Sequence, residues 1–126
     1  MYPEDLKYHE KHMWARVEGD TVTVGITDYA QEQMGDIIFV DLPQGGEAEA
    51  GETFGSVESA KAIEDLVSPV SGQITAVNEE LTDAPEKINA DAHGDAWLIK
   101  VKITDEGQLE NLLTAAQYQE FLGTLD

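Results

Sequence analysis

The chain has 126 residues and a mass of 13.8 kDa. This length suits one domain of ordinary size and excludes a large multidomain enzyme. An apolar content of 41% is typical of a chain that buries a core, so the sequence is not a disordered acidic tail. The formal net charge of −19 repels nucleic-acid phosphates and anionic lipid surfaces, which argues against both as partners.

Cysteine is absent from the sequence. Disulfides, thiolate metal sites and a cysteine nucleophile are therefore excluded. The N-terminal residues lack the basic and apolar regions of a signal peptide, and no apolar run reaches the ~18 residues of a membrane span. We expect a monomeric protein of the cytoplasm.

The first half of the chain contains strand and helix signals in close succession. Residues 21–26 alternate apolar and small polar side chains, which predicts a half-buried strand. Residues 12–17 can pair with it as a hairpin. Thr27 or Asp28 can cap a short helix, and Gly35 suits its C-terminal end.

Further strands are predicted along the middle of the chain. Residues 36–42 form an apolar run rich in β-branched side chains, which predicts a buried strand followed by an acidic loop over 44–51. Residues 82–94, with a proline, an asparagine and two aspartates, predict an irregular connection. Short strands are predicted over residues 53–59, 62–67 and 73–77. A last strand over 97–103 should place Trp97, Ile99, Val101 and Ile103 inward.

The C-terminal part predicts helices. Residues 108–113 and 114–122 contain good helix formers at helical spacing, and residues 114–117 match a capping box. We expect these helices to lie against a face or edge of the β core. One domain would then span residues 1–126, with a β core over approximately 21–103 and a helical segment over approximately 105–123.

Lys61 is the only basic residue between Arg16 and Lys87, and its neighbourhood in sequence is acidic. Residues 56–64 place it between two strand-like segments, with small residues on both sides. Such a position would display the amine at the tip of a hairpin, which suits a modifying enzyme or a tethered cofactor. The same features also fit a plain surface turn, in which the lysine only relieves repulsion between acids.

Several blocks of sequence, taken in order, resemble the glycine cleavage H-protein family, the lipoyl carriers of that system. The blocks are residues 25–31 (GITDYAQ), 35–43 (GDIIFVDLP), 58–62 (ESAKA), 68–72 (SPVSG), 77–78 (VN) and Pro85 with 88–89 (IN). The resemblance covers nearly the whole chain. Two places depart from the family pattern: Ala60, where Val is common, and residues 95–97 (DAW), where Gly often precedes the Trp.

The resemblance implies a lipoyl group in amide linkage to Lys61. It also implies a mainly β barrel-sandwich hybrid of the lipoyl and biotinyl type, with two small antiparallel sheets and short peripheral helices. Biotin is disfavoured, because biotinyl lysines resemble a lysine flanked by Met. By match to the family motif, the residues expected to be recognised by a lipoylating enzyme are Glu58, Ser59, Ala60 and Ala62.

The function implied by the resemblance is that of a carrier without catalytic activity of its own. The P protein, a pyridoxal-phosphate glycine decarboxylase, would load the aminomethyl group of glycine. The T protein would pass the methylene to tetrahydrofolate, and the L protein, dihydrolipoamide dehydrogenase, would reoxidise the dithiol. The alternatives are a lipoyl relay to other lipoyl-dependent complexes and an independent hydrolytic enzyme. The acidic charge fits either steering toward basic partners or adaptation to salt.

Other candidate sites receive little support from the sequence. His9 and His12 stand at an i, i+3 spacing and His93 is distant, so we expect no metal site. Tyr29, near a helix start, is a candidate to shelter a bound arm. Paired carboxylates can serve as general acid and base, but the sequence reveals no pocket for them. The pairs considered are Asp36 with Asp41 and Glu58 with Glu64.

Overall fold

The computed structural model describes residues 2–125. Within this range the strands are β1 (Lys7–His9), β2 (Met13–Glu18), β3 (Thr21–Ile26), β4 (Ile37–Asp41), β5 (Glu47–Ala48), β6 (Thr53–Ser59), β7 (Ile63–Val67), β8 (Gly72–Val77) and β9 (Ile99–Ile103). The helices are α1 (Asp28–Met34), α2 (Glu80–Asp83), α3 (Lys87–Asp91), the 3-10 helix η1 (Glu106–Asn111) and α4 (Ala115–Leu122).

The described strands form two antiparallel sheets with a shared apolar core. The larger sheet has the order β1-β2-β3-β9-β8-β5, and the smaller one has the order β4-β6-β7. Val24 and Val101 of the larger sheet are buried in the same cluster as Val40 and Val57 of the smaller one. Burial of each such side chain contributes about 1.5–3 kcal/mol. The predicted mainly β fold of two antiparallel sheets is confirmed and is consistent with a barrel-sandwich hybrid.

Several local predictions for the first half are also confirmed. β2 and β3 form the expected hairpin, with Glu18 opposite Thr21 at its closed end. Thr27 caps α1, and its Oγ1 accepts a hydrogen bond from the amide of Ala30 at 3.4 Å. Gly35 ends that helix with a φ of 80°. The larger sheet reaches back to β1, so the β core begins well before the expected boundary at residue 21.

Strand β3 is not half-buried as predicted. Thr23, on the face expected to meet water, is only 2% exposed. A second buried cluster covers that face: Trp14 is fully buried there and donates its indole N–H to the Ala92 carbonyl at 2.8 Å. The alternation of residue types along β3 could not report this cover, because it comes from Trp14 of the paired strand β2 and from residues of the C-terminal segment that pack with it.

Strand β4 is not fully buried either. Ile37 and Val40 are buried, but Ile38 and Phe39 are 55% and 51% exposed. The pairing of β4 with β6 shifts register between Ile37 and Phe39, which identifies a β-bulge at this point. A bulge places an extra residue in one strand and breaks the inward–outward alternation. Two consecutive apolar side chains therefore face solvent.

The segment expected to be irregular contains two short helices, α2 and α3, which Leu81 and Ile88 anchor in the core. Pro85 lies between them and interrupts neither. The loop expected over residues 44–51 similarly contains the short strand β5. Trp97 was expected to begin the last strand and face inward, but it precedes β9 and is only partly buried. No helix within residues 2–125 is long and apolar enough to cross a lipid bilayer.

The C-terminal segment packs on the edge of the larger sheet, as predicted. Thr114 and Gln117 form the expected capping box at the start of α4. The Tyr118 ring of that helix stacks on Tyr8 of β1, with ring centroids 4.9 Å apart. The preceding segment forms a 3-10 helix rather than an α-helix, and Leu113 pairs with Tyr8 through backbone hydrogen bonds of 2.7 and 2.8 Å.

Candidate functional site at the β6–β7 hairpin

Lys61 lies in the tight connection between β6 and β7. The last pair of the ladder is Glu58 with Ile63, and the Ser59 amide donates to the Ala62 carbonyl at 2.8 Å. The buried Ser59 hydroxyl accepts hydrogen bonds from the amides of Lys61 at 3.3 Å and Ala62 at 3.2 Å. A side chain thus closes the turn in place of a backbone carbonyl. The tip is held in one conformation while the Lys61 side chain stays exposed.

Lys61 has an exposed side chain that lies above Gly35. Within residues 2–125 it forms no ion pair with any carboxylate. Its side chain passes over Gly35, where a methyl group would lie 3.4 Å from Cε and 3.9 Å from Nζ. Glycine is required there in any case, because its φ of 80° and ψ of −155° are essentially inaccessible to other residues. An open, unpaired amine on a fixed turn fits the attachment of an acyl group.

Asn89 of α3 fixes the segment that lies under this lysine. Its Oδ1 accepts from the Ile37 amide at 2.8 Å, and its Nδ2 donates to the Gly35 carbonyl at 2.9 Å. The same Nδ2 donates to Gln31 Oε1 of α1 at 2.8 Å. One side chain therefore satisfies three groups around the turn from α1 to β4. The sequence marked Asn89 only as part of a family block and indicated no role for it.

The four residues expected to be recognised along with Lys61 occupy different environments. Glu58 lies on the outer face of the smaller sheet, opposite Phe39 on one side and Ile63 on the other. Ala60 is exposed at the tip. Ser59 is 5% exposed and serves the turn, and Ala62 is partly buried against the core. Glu58 and Ala60 are accessible to a partner, and recognition of all four stays a prediction.

A cleft of about 650 Å³ opens along β7. Its walls come from α1, β7, the turn before β2 and the C-terminal residues. Tyr29, the residue considered as a shelter for an arm, lies in this wall together with Met34 and Phe121. Glu64 and Asp65 of β7 also line the cleft. No motif in the sequence could reveal the cleft, because its walls are distant segments brought together by the fold.

The histidines considered for a metal are engaged elsewhere. His12 Nδ1 lies 2.7 Å from the Tyr118 hydroxyl, and His93 Nε2 accepts from the Asp28 amide at 3.1 Å. His9 Nδ1 accepts from the Lys11 amide at 3.0 Å. Across residues 2–125, no group of three or more histidine or carboxylate side chains is placed to hold a metal ion. Burial lowers the pKa of all three imidazoles.

The carboxylate pairs are not assembled as acid and base. Glu58 pairs with Ile63 and Glu64 pairs with Val57, which are consecutive rows of one ladder, so Glu58 and Glu64 face opposite sides of the sheet. Asp36 precedes β4 and Asp41 ends it, so the length of the strand separates them. Neither pair can therefore act on one substrate as its general acid and general base.

Comparison with known proteins identifies the family. The sequence model described as "Glycine cleavage H-protein" matches residues 6–124, almost the entire chain. The chain belongs to the glycine cleavage H-protein family. Proteins of this family carry lipoate and are generally not catalysts.

Individual relatives agree with this assignment. The glycine cleavage system H protein of Staphylococcus carnosus (strain TM300) is 53% identical over 122 residues, covering 96% of this chain and 97% of that protein. That of Staphylococcus haemolyticus (strain JCSC1435) is 52% identical with the same coverage. The crystal structure of a glycine cleavage system H protein from Mycobacterium marinum superposes with a TM-score of 0.89 at 41% identity, covering 97% of this chain and 99% of that one. The fold of the H-protein family is therefore shared over its full length.

Proposed function

We propose that this chain is the lipoyl carrier of a glycine cleavage system in the cytoplasm, with the lipoyl group in amide linkage to Lys61 Nζ. The observation that supports the site is an exposed amine at the tip of a fixed hairpin, within the family block at residues 58–62, which pairs with no carboxylate of the described part of the chain. When bound, the group supplies a disulfide to a chain that contains no cysteine.

The residues around Lys61 serve the attachment rather than any chemical step. The Ser59 hydroxyl fixes the backbone of the turn, so the Lys61 side chain projects from the surface in a defined direction. The lysine stem passes over Gly35, and Asn89 fixes the backbone at Gly35. A flexible arm on a rigid base reaches a docked enzyme at high effective concentration, so docking can be weak and reversible. Reversible docking is what a shuttle between several enzymes requires.

The partners in this proposal are the P, T and L proteins, with the aminomethyl group carried from P to T and the dithiol reoxidised by L. Amide formation removes one positive charge from a net −19, which leaves −20. A surface this acidic attracts basic partner surfaces, and salt weakens that attraction. Association with these enzymes should therefore slow as ionic strength rises.

The cleft along β7 gives the loaded arm a sheltered position in this proposal. It opens beside the strand that directly follows Lys61. Its wall combines Tyr29 and apolar residues with the acidic residue Glu64. Such a wall suits a tethered group that is apolar along its length and carries an amine at its end.

Replacement of Lys61 tests the attachment site. Lys61→Arg should fold normally and accept no lipoyl group, because a guanidinium does not form the required amide. Lys87→Arg is the matched control: it changes an exposed lysine that pairs with Glu80 at 2.9 Å and should be acylated like wild type. Intact-mass analysis after incubation with lipoate ligase, lipoate and ATP reads the result. An acylated Lys61→Arg protein would contradict attachment at this residue.

Reconstitution tests the glycine assignment separately. The acylated wild-type protein should support exchange of bicarbonate with the carboxyl group of glycine in the presence of the decarboxylase. Acylated Lys61 without any exchange would reject a role in glycine cleavage and favour a lipoyl relay to other complexes. An unmodified wild-type protein, under conditions that acylate a known lipoyl domain, would reject the carrier function altogether.

A further inference from the structure

The outer face of the smaller sheet carries an apolar surface directly below Lys61. Phe39 and Ile63 are 51% and 67% exposed, and each pairs with Glu58 from its own side. Paired residues of antiparallel strands point to the same face. The Glu58 carboxylate therefore lies between two exposed apolar side chains in the first row below the tip.

The β4 bulge enlarges this surface. It turns Ile38, which is 55% exposed, toward solvent beside Phe39. We name the surface formed by Ile38, Phe39, Glu58 and Ile63 the tip face. Single exposed apolar residues are ordinary, but a cluster of three around one carboxylate marks an interaction surface. A bulge next to a functional residue commonly redirects side chains in this way.

We propose that the tip face is the docking surface for the enzyme that acylates Lys61. The matching surface of that enzyme would be apolar at its centre, with a basic group placed for Glu58. This inference rests on the proposed function, because it presupposes that Lys61 is acylated.

The short length of the unmodified Lys61 side chain determines which enzyme must contact the tip face. Acylation joins Nζ to the carboxyl carbon of an activated lipoyl mixed anhydride: the ammonium loses one proton to give the attacking amine, the amide bond forms as the activating group leaves with its electron pair, and a second proton passes from nitrogen to solvent. At that stage the arm is only the four-carbon lysine stem. The active site of the acylating enzyme must therefore approach the hairpin closely. Enzymes that act on the finished arm need to reach only its distal end, so their chemistry does not require contact with the tip face.

Charge adds a second requirement to the partner. Asp41 and Asp65 lie two residues further down their strands, in a row with Ser56 on the same outer face. Both carboxylates are exposed. The tip face is thus apolar around Glu58 and acidic at its lower margin. An enzyme surface with an apolar centre and basic residues around it complements this arrangement.

The double variant Phe39→Ser with Ile63→Ser tests the inference. Purified lipoate ligase should acylate it with a kcat/KM about tenfold below wild type, because central apolar contacts carry much of the energy of an interface. Val17→Ser is the control: it removes an exposed apolar side chain from β2, away from the hairpin, and should be acylated at the wild-type rate. Glu58→Gln should also be slower, with a weaker dependence on salt than wild type. Thermal midpoints should stay close to wild type, since these side chains are already in water.

The possible outcomes distinguish the docking-surface proposal from the proposed carrier function. Wild-type acylation with no slowing of the double variant relative to Val17→Ser would overturn the docking surface and leave the carrier function intact. Absence of wild-type acylation would remove both. A double variant acylated to completion with excess ligase should then support glycine–bicarbonate exchange at the wild-type rate. An equal loss in exchange would contradict the assignment of this face to the acylating enzyme.

Discussion

The hydroxyl of Tyr118 lies 2.7 Å from Nδ1 of His12, linking the C-terminal helix to the turn before β2. The same hydroxyl lies 2.8 Å from Oγ1 of Thr27, the residue that caps α1. His12 takes a left-handed backbone conformation, with a φ of 66°, and its ring borders the cleft along β7. One phenol thus orients a cleft residue and connects it to the helix that forms another wall.

The Tyr118 contact predicts the tautomer of His12. Desolvation by burial, together with the charges of Lys11 and His9, lowers the His12 pKa, so the ring is neutral at pH 7. We expect a chain in which Thr27 donates to Tyr118 and Tyr118 donates to Nδ1, which leaves the proton of His12 on Nε2. NMR of the ring nitrogens should report the Nε2–H form and a pKa below 6.5. Tyr118→Phe should raise that pKa, because it removes a donor to the neutral ring. A protonated Nδ1 in the wild-type protein would contradict the chain.

The three histidines predict how stability depends on pH. Burial is the largest cause that lowers the pKa of His9, His12 and His93 from 6.5. Between the folded pKa and 6.5 the unfolded chain binds more protons than the folded one, so the free energy of unfolding decreases as pH falls through this window. Urea unfolding at pH 7.5 and 5.5 should show the higher midpoint at 7.5. His9→Gln should have a shallower dependence than wild type, and an identical slope would rule out its contribution.

Gly35 predicts a coupled loss of stability and acylation. Gly35→Ala should lower the free energy of unfolding by about 1–3 kcal/mol, because its φ and ψ are close to glycine-only. The added methyl would also contact the stem of Lys61 and slow its acylation. Gly19→Ala is the matched control: its φ of 67° is strained too, but no atom lies within 4 Å of the added methyl. Equal acylation rates for the two variants would show that the contact between Gly35 and Lys61 does not affect acylation.

Asn89 predicts a long-range effect on the same site. Asn89→Ala would leave the Ile37 amide and the Gly35 carbonyl without their partner, at a cost of about 1–3 kcal/mol. Hydrogen exchange at the Ile37 amide should accelerate, and acylation of Lys61 should slow. Asn78→Ala is the control, since Asn78 donates to the carbonyls of Asp95 and Trp97 elsewhere. Loss of stability without faster exchange at the Ile37 amide would argue against the role of Asn89 in holding this backbone segment.

The sequence was sufficient wherever a feature depends on neighbours along the chain. Thr27 as a cap, the capping box at residues 114–117 and the hairpin of β2 with β3 are each encoded within a few residues. The same holds for Lys61 between two strands, because the alternation of β6, the small residues and the resumption at β7 are contiguous. Strand and turn preferences act locally, so these features could be predicted.

The sequence failed where burial depends on distant segments. Thr23 appeared to be a surface residue, yet Trp14 and the end of α3 cover its face. Ile38 and Phe39 appeared to be core residues, yet a bulge that arises only on pairing with β6 turns both outward. Residue type along one strand does not specify which segment packs above it or where its register shifts.

The sequence by itself thus determined the alternating strands, the caps, the family and an isolated lysine between two strands, because each is a matter of residue order. Only the tertiary structure decided that Gly35 lies under Lys61. It also decided that Asn89, 54 residues after Gly35 in the chain, holds the Gly35 backbone. It likewise assembled the tip face from β4, β6 and β7. These arrangements arise from strand pairing and from helices packed against sheets, in which the energy comes from residues that the chain order keeps far apart.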